Sequence, residues 1–170
     1  MKSQTGGSMS EVQEAIKQAI QTEKNAMNFY EIGAQQMKDK DAKRMFEQLA
    51  KEEKEHAAHF YKAYRGADLG TFEEFMARPP QNESLWVTSI QKVISSDFSE
   101  QKALELAMEK ETGLEKALRE TASKISDQSV KEIFLLNANE THNHYLTIES
   151  EYARIMAMVD ESDMDTYVRE

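Results

Sequence analysis

The sequence predicts an all-α protein: an antiparallel four-helix bundle with a long crossover between its second and third long helices. Three observations carry this. The composition leans to Ala, Glu, Lys, Gln, Met and Leu, with only 6 Gly and 2 Pro in 170 residues, which favours helix and leaves few places for tight turns. Apolar residues recur at spacings of three and four along four long stretches. The chain also repeats itself. Ala19-Ile20-Gln21-Thr22-Glu23 reads against Ala107-Met108-Glu109-Lys110-Glu111, and Leu49-Ala50-Lys51-Glu52-Glu53 against Leu136-Asn137-Ala138-Asn139-Glu140, so Glu23 pairs with Glu111 at an offset of 88 and Glu53 with Glu140 at 87.

The first helix is expected over 10–38, with an inward stripe of Val12, Ile16, Ala19, Glu23, Ala26, Met27, Tyr30, Ala34 and Met37. The Asp39-Lys40-Asp41 stretch offers caps for a second helix over 40–65, whose stripe runs Met45, Phe46, Leu49, Glu53, His56, Ala57 and Phe60. Residues 66–98 break the pattern with Gly70 and Pro79-Pro80, although 71–76 and 84–94 can each form a short helix. A helix of about 25 residues is about 37 Å long, and this stretch is long enough to travel back along it. Ser96 or Ser99 caps a third helix over 99–125, with Ala103, Leu104, Ala107, Glu111, Leu114, Leu118 and Ile125 inward. After a Ser126-Asp127 cap, the fourth is expected over 127–158, with Val130, Ile133, Phe134, Leu136, Asn137, Glu140, His144, Thr147, Ile148 and Ile155 inward. Residues 10–158 thus form the bundle. Residues 1–9 read as an expression scar or disordered start, and 159–170 as an acidic tail that frays.

Net charge is −10, from 21 Lys and Arg against 31 Asp and Glu, spread along the chain. A surface this acidic argues against nucleic acid and anionic membranes as partners. There is no cysteine, which excludes disulfides, thiolate-bound metal and a cysteine nucleophile. With no apolar run of membrane-spanning length and no apolar core in the first ten residues, a cytoplasmic protein is expected. The ten methionines read as bundle filling.

Two hairpins of one design, each with a glutamate amid apolar positions of both helices, bring four carboxylates into one core. A core takes them only if something cationic pairs with them. Glu53-Lys54-Glu55-His56 is a Glu-x-x-His unit, and at about 100° per residue its two side chains lie about 60° apart on one face. Carboxylates can bridge two cations while imidazole supplies a directional nitrogen, a set that suits iron or manganese. The candidate metal ligands are Glu23, Glu53, His56, Glu111, Glu140 and His144. Glu52 and His59 fall at the rim. A group that holds His56 by its other ring nitrogen is expected, and the sequence does not identify it.

Glu23-Lys24-Asn25-Ala26-Met27-Asn28-Phe29-Tyr30, Glu53-Lys54-Glu55-His56 and Glu111 resemble the rubrerythrin-like branch of the ferritin-like superfamily over all four helices. The resemblance implies a centre of two iron ions, with manganese or zinc as substitutes, acting on peroxide or dioxygen; the analogy also implies a homodimer. Tyr30 matches a tyrosine found near such centres, and equally suits an amphipathic core position. The chain departs from the pattern twice. Where the family has histidine three residues after Glu140 stands Asn143, so either its carbonyl oxygen coordinates or His144, about 40° from Glu140, replaces the imidazole. Leu114 stands where rubrerythrin has a second glutamate, with Glu115 either compensating or solvated. Without cysteine, electrons come from a separate donor or from ferrous iron. The expected function is a di-iron oxidoreductase; the alternatives are an iron-binding or ferroxidase module, and a metal-free helical interaction protein.

Overall fold

The computed structural model describes the backbone of residues 9–168 and the side chains of residues 10–159. Among these residues there is no strand. The elements are α1 (Met9–Gln36), α2 (Lys40–Ala63), α3 (Phe72–Met76), α4 (Leu85–Ser95), α5 (Glu100–Ser123) and α6 (Gln128–Val168). Short turns make α1–α2 and α5–α6 antiparallel hairpins, and these two pairs carry most of the packing. The four long helices form the ferritin-like bundle; α3 and α4 lie in the crossover.

The caps are those the local sequence encodes. Asp39 accepts from the Ala42 amide at the start of α2, Ser84 from Val87 at α4 and Ser99 from Lys102 at α5. Thr71 and Glu74 make a reciprocal capping box on α3. Asp127 accepts from the amides of Ser129 and Val130 below α6. Asp39 also receives Arg154 at 2.5 Å, which fastens the α1–α2 turn to the far part of α6. The acidic end departs from expectation, because α6 runs on to Val168 where the sequence predicts an end near 158. Residues 128–168 contain no Gly or Pro, so nothing in the chain stops the helix. Residues 1–8, with the scar expected there, and Arg169 and Glu170 lie outside the described residues.

The crossover is latched to the first hairpin. Lys24 is buried, and its ammonium donates to Asn28 Oδ1 at 2.8 Å and to the Pro79 carbonyl at 3.4 Å. Trp86 of α4 packs edge-on against Phe29, which packs edge-on against Tyr30, and Phe46 closes on the Tyr30 ring at 4.9 Å and 90°. Phe46 lies so close to α1 that a Cβ on Gly33 would meet its ring at 2.7 Å. This aromatic group fixes the Tyr30 ring with its hydroxyl pointing towards α5.

On α6 the buried face keeps Phe134, Asn137, His144, Ile148 and Ile155 of the expected stripe, but Ala138 and Thr141 take the inward places expected of Leu136 and Glu140. Phe134, Asn137, Ala138, Thr141, His144 and Ile148 are buried, whereas Leu136 is 50% exposed and Thr147 is exposed. A single offset of 88 therefore relates both hairpins: Glu23 to Glu111, Phe46 to Phe134, Ala50 to Ala138, His56 to His144 and Phe60 to Ile148. Matching Glu53 with Glu140 placed like letter on like letter but broke the helical register. In the register of the fold, Glu53 corresponds to Thr141, and Glu140 to Glu52.

Candidate metal centre

Glu53 and His56 share the inner face of α2 because three residues of helix separate them by about 60°. Glu23 meets them from α1, Glu111 from α5 and His144 from α6. The three glutamates are fully buried, and His56 and His144 nearly so. His56 Nδ1 lies 3.5 Å from Glu53 Oε2 and 3.7 Å from Glu23 Oε2, ion-pair distances too long for hydrogen bonds. His144 Nδ1 bonds Glu53 Oε1 at 2.9 Å and stands 3.7 Å from Glu111 Oε1. The two imidazoles stack at 5.0 Å, tilted by 14°, and the donor atoms of Glu53, His56 and His144 all fall within 4.8 Å of one another. Tyr30 donates its hydroxyl to Glu111 Oε1 at 2.5 Å.

Glu140 sits at the rim with its side chain 39% exposed, and its Oε2 bonds His56 Nε2 at 2.6 Å. This is the group, unidentified from sequence, that holds His56 by its outer nitrogen and turns Nδ1 inward. Its counterpart stands farther off, with Glu52 Oε1 4.0 Å from His144 Nε2, beyond hydrogen-bond reach. Each hairpin's histidine thus faces a glutamate of the other hairpin, closely at His56 and loosely at His144. Sequence reasoning places Glu52 at the rim and Glu140 among the ligands but misses which histidine each faces, and it misses Thr141; the signal available is the equal offset of 88 between the glutamates 23 and 111 and the histidines 56 and 144. Asn143 is exposed, so His144 is the inward residue of the two. Glu115 is engaged at the surface by Arg119 at 2.8 Å and His142 at 3.0 Å, which resolves it as a solvated clasp between α5 and α6. His59 pairs with Asn137 at 3.4 Å outside the cluster.

Electrostatics follow from crowding in a dry core. Burial, then the Glu53 charge, pushes Glu23 well above the usual carboxylate range, and the same two causes raise Glu111 to about 7. Glu53 goes the other way: burial works against its charge, but its contacts with Glu23, His144 and His56 hold it ionised, below the usual range. Burial likewise opposes charge on the histidines, and their carboxylate neighbours overcome it, lifting His56 to about 12 and His144 to about 10. Tyr30 is raised well above its ordinary value by burial and by the Glu111 and Glu53 charges, which keeps its proton in place.

Five buried atoms in this cluster have no hydrogen-bond partner among the described residues: both oxygens of Glu23, Glu53 Oε2, His56 Nδ1 and Glu111 Oε2. A buried polar atom without a partner is costly, and five converging ones form a candidate donor set for a cation. Carboxylate oxygens with inward imidazole nitrogens fit iron. The rubrerythrin family profile matches residues 14–152, which spans all four long helices and every residue of the cluster. The chain belongs to the rubrerythrin family. No curated protein and no solved structure matches it. As a rubrerythrin-family bundle it has a candidate metal site at Glu53, His56 and His144, in a family of di-iron carboxylate proteins. Among the described residues, no helix is long and apolar enough to cross a membrane. A groove of about 760 Å³ between α2 and α6, lined by Arg44, Gln48, Glu52, Asn143 and Thr147, reaches this cluster at His144.

Proposed function

We propose that the protein is an oxidoreductase that reduces peroxide, and more slowly dioxygen, at an iron centre held by Glu23, Glu53, His56, Glu111 and His144. The observation that carries this reading is the set of five partnerless buried donor atoms converging in one core, within a chain of the rubrerythrin family. Two ferrous ions, when bound there, supply the two electrons that with two protons take one peroxide to two waters.

The side chains supply position, charge and protons. Glu23, Glu53 and Glu111 offset the cationic charge in a core where water cannot. Glu140 grips the outer ring nitrogen of His56, which fixes its inward nitrogen as a donor, while Glu52 places a negative charge 4.0 Å from the outer nitrogen of His144. Glu111, raised to about 7, holds a proton near neutral pH and delivers it inward, and Tyr30 positions that carboxyl by donating to its Oε1 at 2.5 Å. The α2–α6 groove admits a molecule the size of peroxide as far as His144. With no cysteine in the chain, the electrons that restore the ferrous state come from a separate donor.

The test is anaerobic loading with ferrous iron followed by rapid mixing with peroxide or with oxygen, read by absorbance. Oxidation of bound iron faster by peroxide than by oxygen is the expected result. Failure to bind iron, or oxidation no faster than that of free ferrous iron, overturns the proposal. Faster oxidation by oxygen would favour a ferroxidase instead.

A further inference from the structure

We infer that the two halves of this centre hold cations unequally: a tight position at Glu23, Glu53 Oε2 and His56 Nδ1, and a weak one at Glu111, Glu53 Oε1 and His144 Nδ1. The inference rests on the metal-binding reading above and concerns what Thr141 does to it.

The 88-residue register places Thr141 opposite Glu53. A bundle with a Glu-x-x-His unit on each of two helices offers a carboxylate from both. Here α2 reads Glu53-x-x-His56, while α6 reads Thr141-x-x-His144. Thr141 is fully buried, so it occupies the corresponding inward place, but its hydroxyl turns back along α6 and donates to the Asn137 carbonyl at 2.7 Å. Among the described residues, no other carboxylate takes that place. Leu114 lies a turn along the facing helix, Glu115 is held at the surface, and Glu140 is spent on the outer nitrogen of His56.

Two consequences point the same way. The first is charge. Three buried carboxylates offset one divalent cation fully but leave two such cations with a positive charge uncompensated in a dry core. The second is occupancy of the donor atoms. Four of the five partnerless atoms, both Glu23 oxygens, Glu53 Oε2 and His56 Nδ1, lie on the His56 side. On the His144 side the donors are already engaged with protein: His144 Nδ1 with Glu53 Oε1, and Glu111 Oε1 with the Tyr30 hydroxyl. Only Glu111 Oε2 remains free there. A cation entering the first half satisfies orphaned atoms, whereas one entering the second must break two hydrogen bonds.

The experiment is anaerobic titration of the chelator-treated full chain with cobalt(II), followed by calorimetry and visible absorption. We expect one cation per chain in a first step and a second bound about tenfold or more weakly. Two equal cations in one step overturn this inference and leave the proposed function standing; no binding at all overturns both. Thr141→Glu restores the mate of Glu53 and is expected to merge the two steps into one of two cations. His144→Ala is expected to keep the first step and lose the second, and His56→Ala to lose the first. The reverse pattern in these two variants overturns the assignment whether or not Thr141→Glu folds.

Discussion

Replacing Glu111 with Gln should make the metal-free protein more stable at pH 8 and leave it nearly unchanged at pH 5. The carboxyl is fully buried and its pKa is raised from 4.5 to about 7, mainly by burial and then by the Glu53 charge. A raised pKa means that the folded state holds the proton more tightly than the unfolded one. The associated stability is therefore complete below about pH 4.5 and is lost as pH rises through about 7. A shift of that size corresponds to about 3 kcal/mol. Glutamine carries no charge to desolvate, and its carbonyl still accepts from Tyr30. In the variant, His144 keeps Glu53 at 2.9 Å but loses Glu111 as a second partner, which takes back part of the gain. About 2 kcal/mol remains, or roughly 4–8 °C in a domain of this size. Thermal unfolding of chelator-treated protein at both pH values, followed by circular dichroism, measures it. A variant that melts at or below wild type at pH 8, or one shifted equally at both pH values, would refute the account of a carboxylate ionised against its surroundings.

Binding of the first cation at pH 7 should release at least one proton, from His56, whose pKa its carboxylate neighbours lift to about 12, measured by calorimetry in buffers of different ionisation enthalpy; affinity should fall with falling pH, and a cation bound without proton release contradicts the assignment. Glu140→Gln should weaken that cation by about tenfold in the same titration, because His56 loses the charged group that orients it. Tyr30→Phe should keep the metal stoichiometry and slow peroxide-driven oxidation by about tenfold or more, and an unchanged rate would remove the role of Tyr30 in positioning Glu111. Asn143→His should leave metal affinity as it is, since position 143 faces solvent; tighter binding would mean that this side chain reaches the centre.

The helices were legible because their stripes are long and regular, and the two short crossover helices because Thr71 and Ser84 announce them. Glu23, Glu53, His56 and Glu111 could be placed inward because each interrupts an apolar stripe at helical spacing. The fourth long helix was harder. Asn137, Thr141 and His144 are polar yet buried, so they hide the stripe, while Leu136 and Leu146 are apolar yet exposed and suggest another. Periodicity in such a segment is weak, and the like residues at 53 and 140 outweigh it. The roles of Glu52 and Glu140 were beyond sequence reasoning for another reason: each acts on a histidine some 90 positions away, across a contact that only the docking of the two hairpins creates.

That exchange, in which Glu140 backs His56 and Glu52 faces His144, would work as well between two separate copies of one hairpin. In such a pair every residue would appear twice, and a centre at its axis would have to be even-handed. Joining the halves in one chain removes that obligation. Position 53 can be glutamate while position 141 is threonine, and one phenol, Tyr30, can serve one side while its counterpart, Leu118, serves as packing. The long crossover is what makes this permanent, since a latched linker keeps the two versions at fixed stoichiometry and in fixed register. Covalent fusion here acts as a licence for the two sides of a symmetric fold to take up different work.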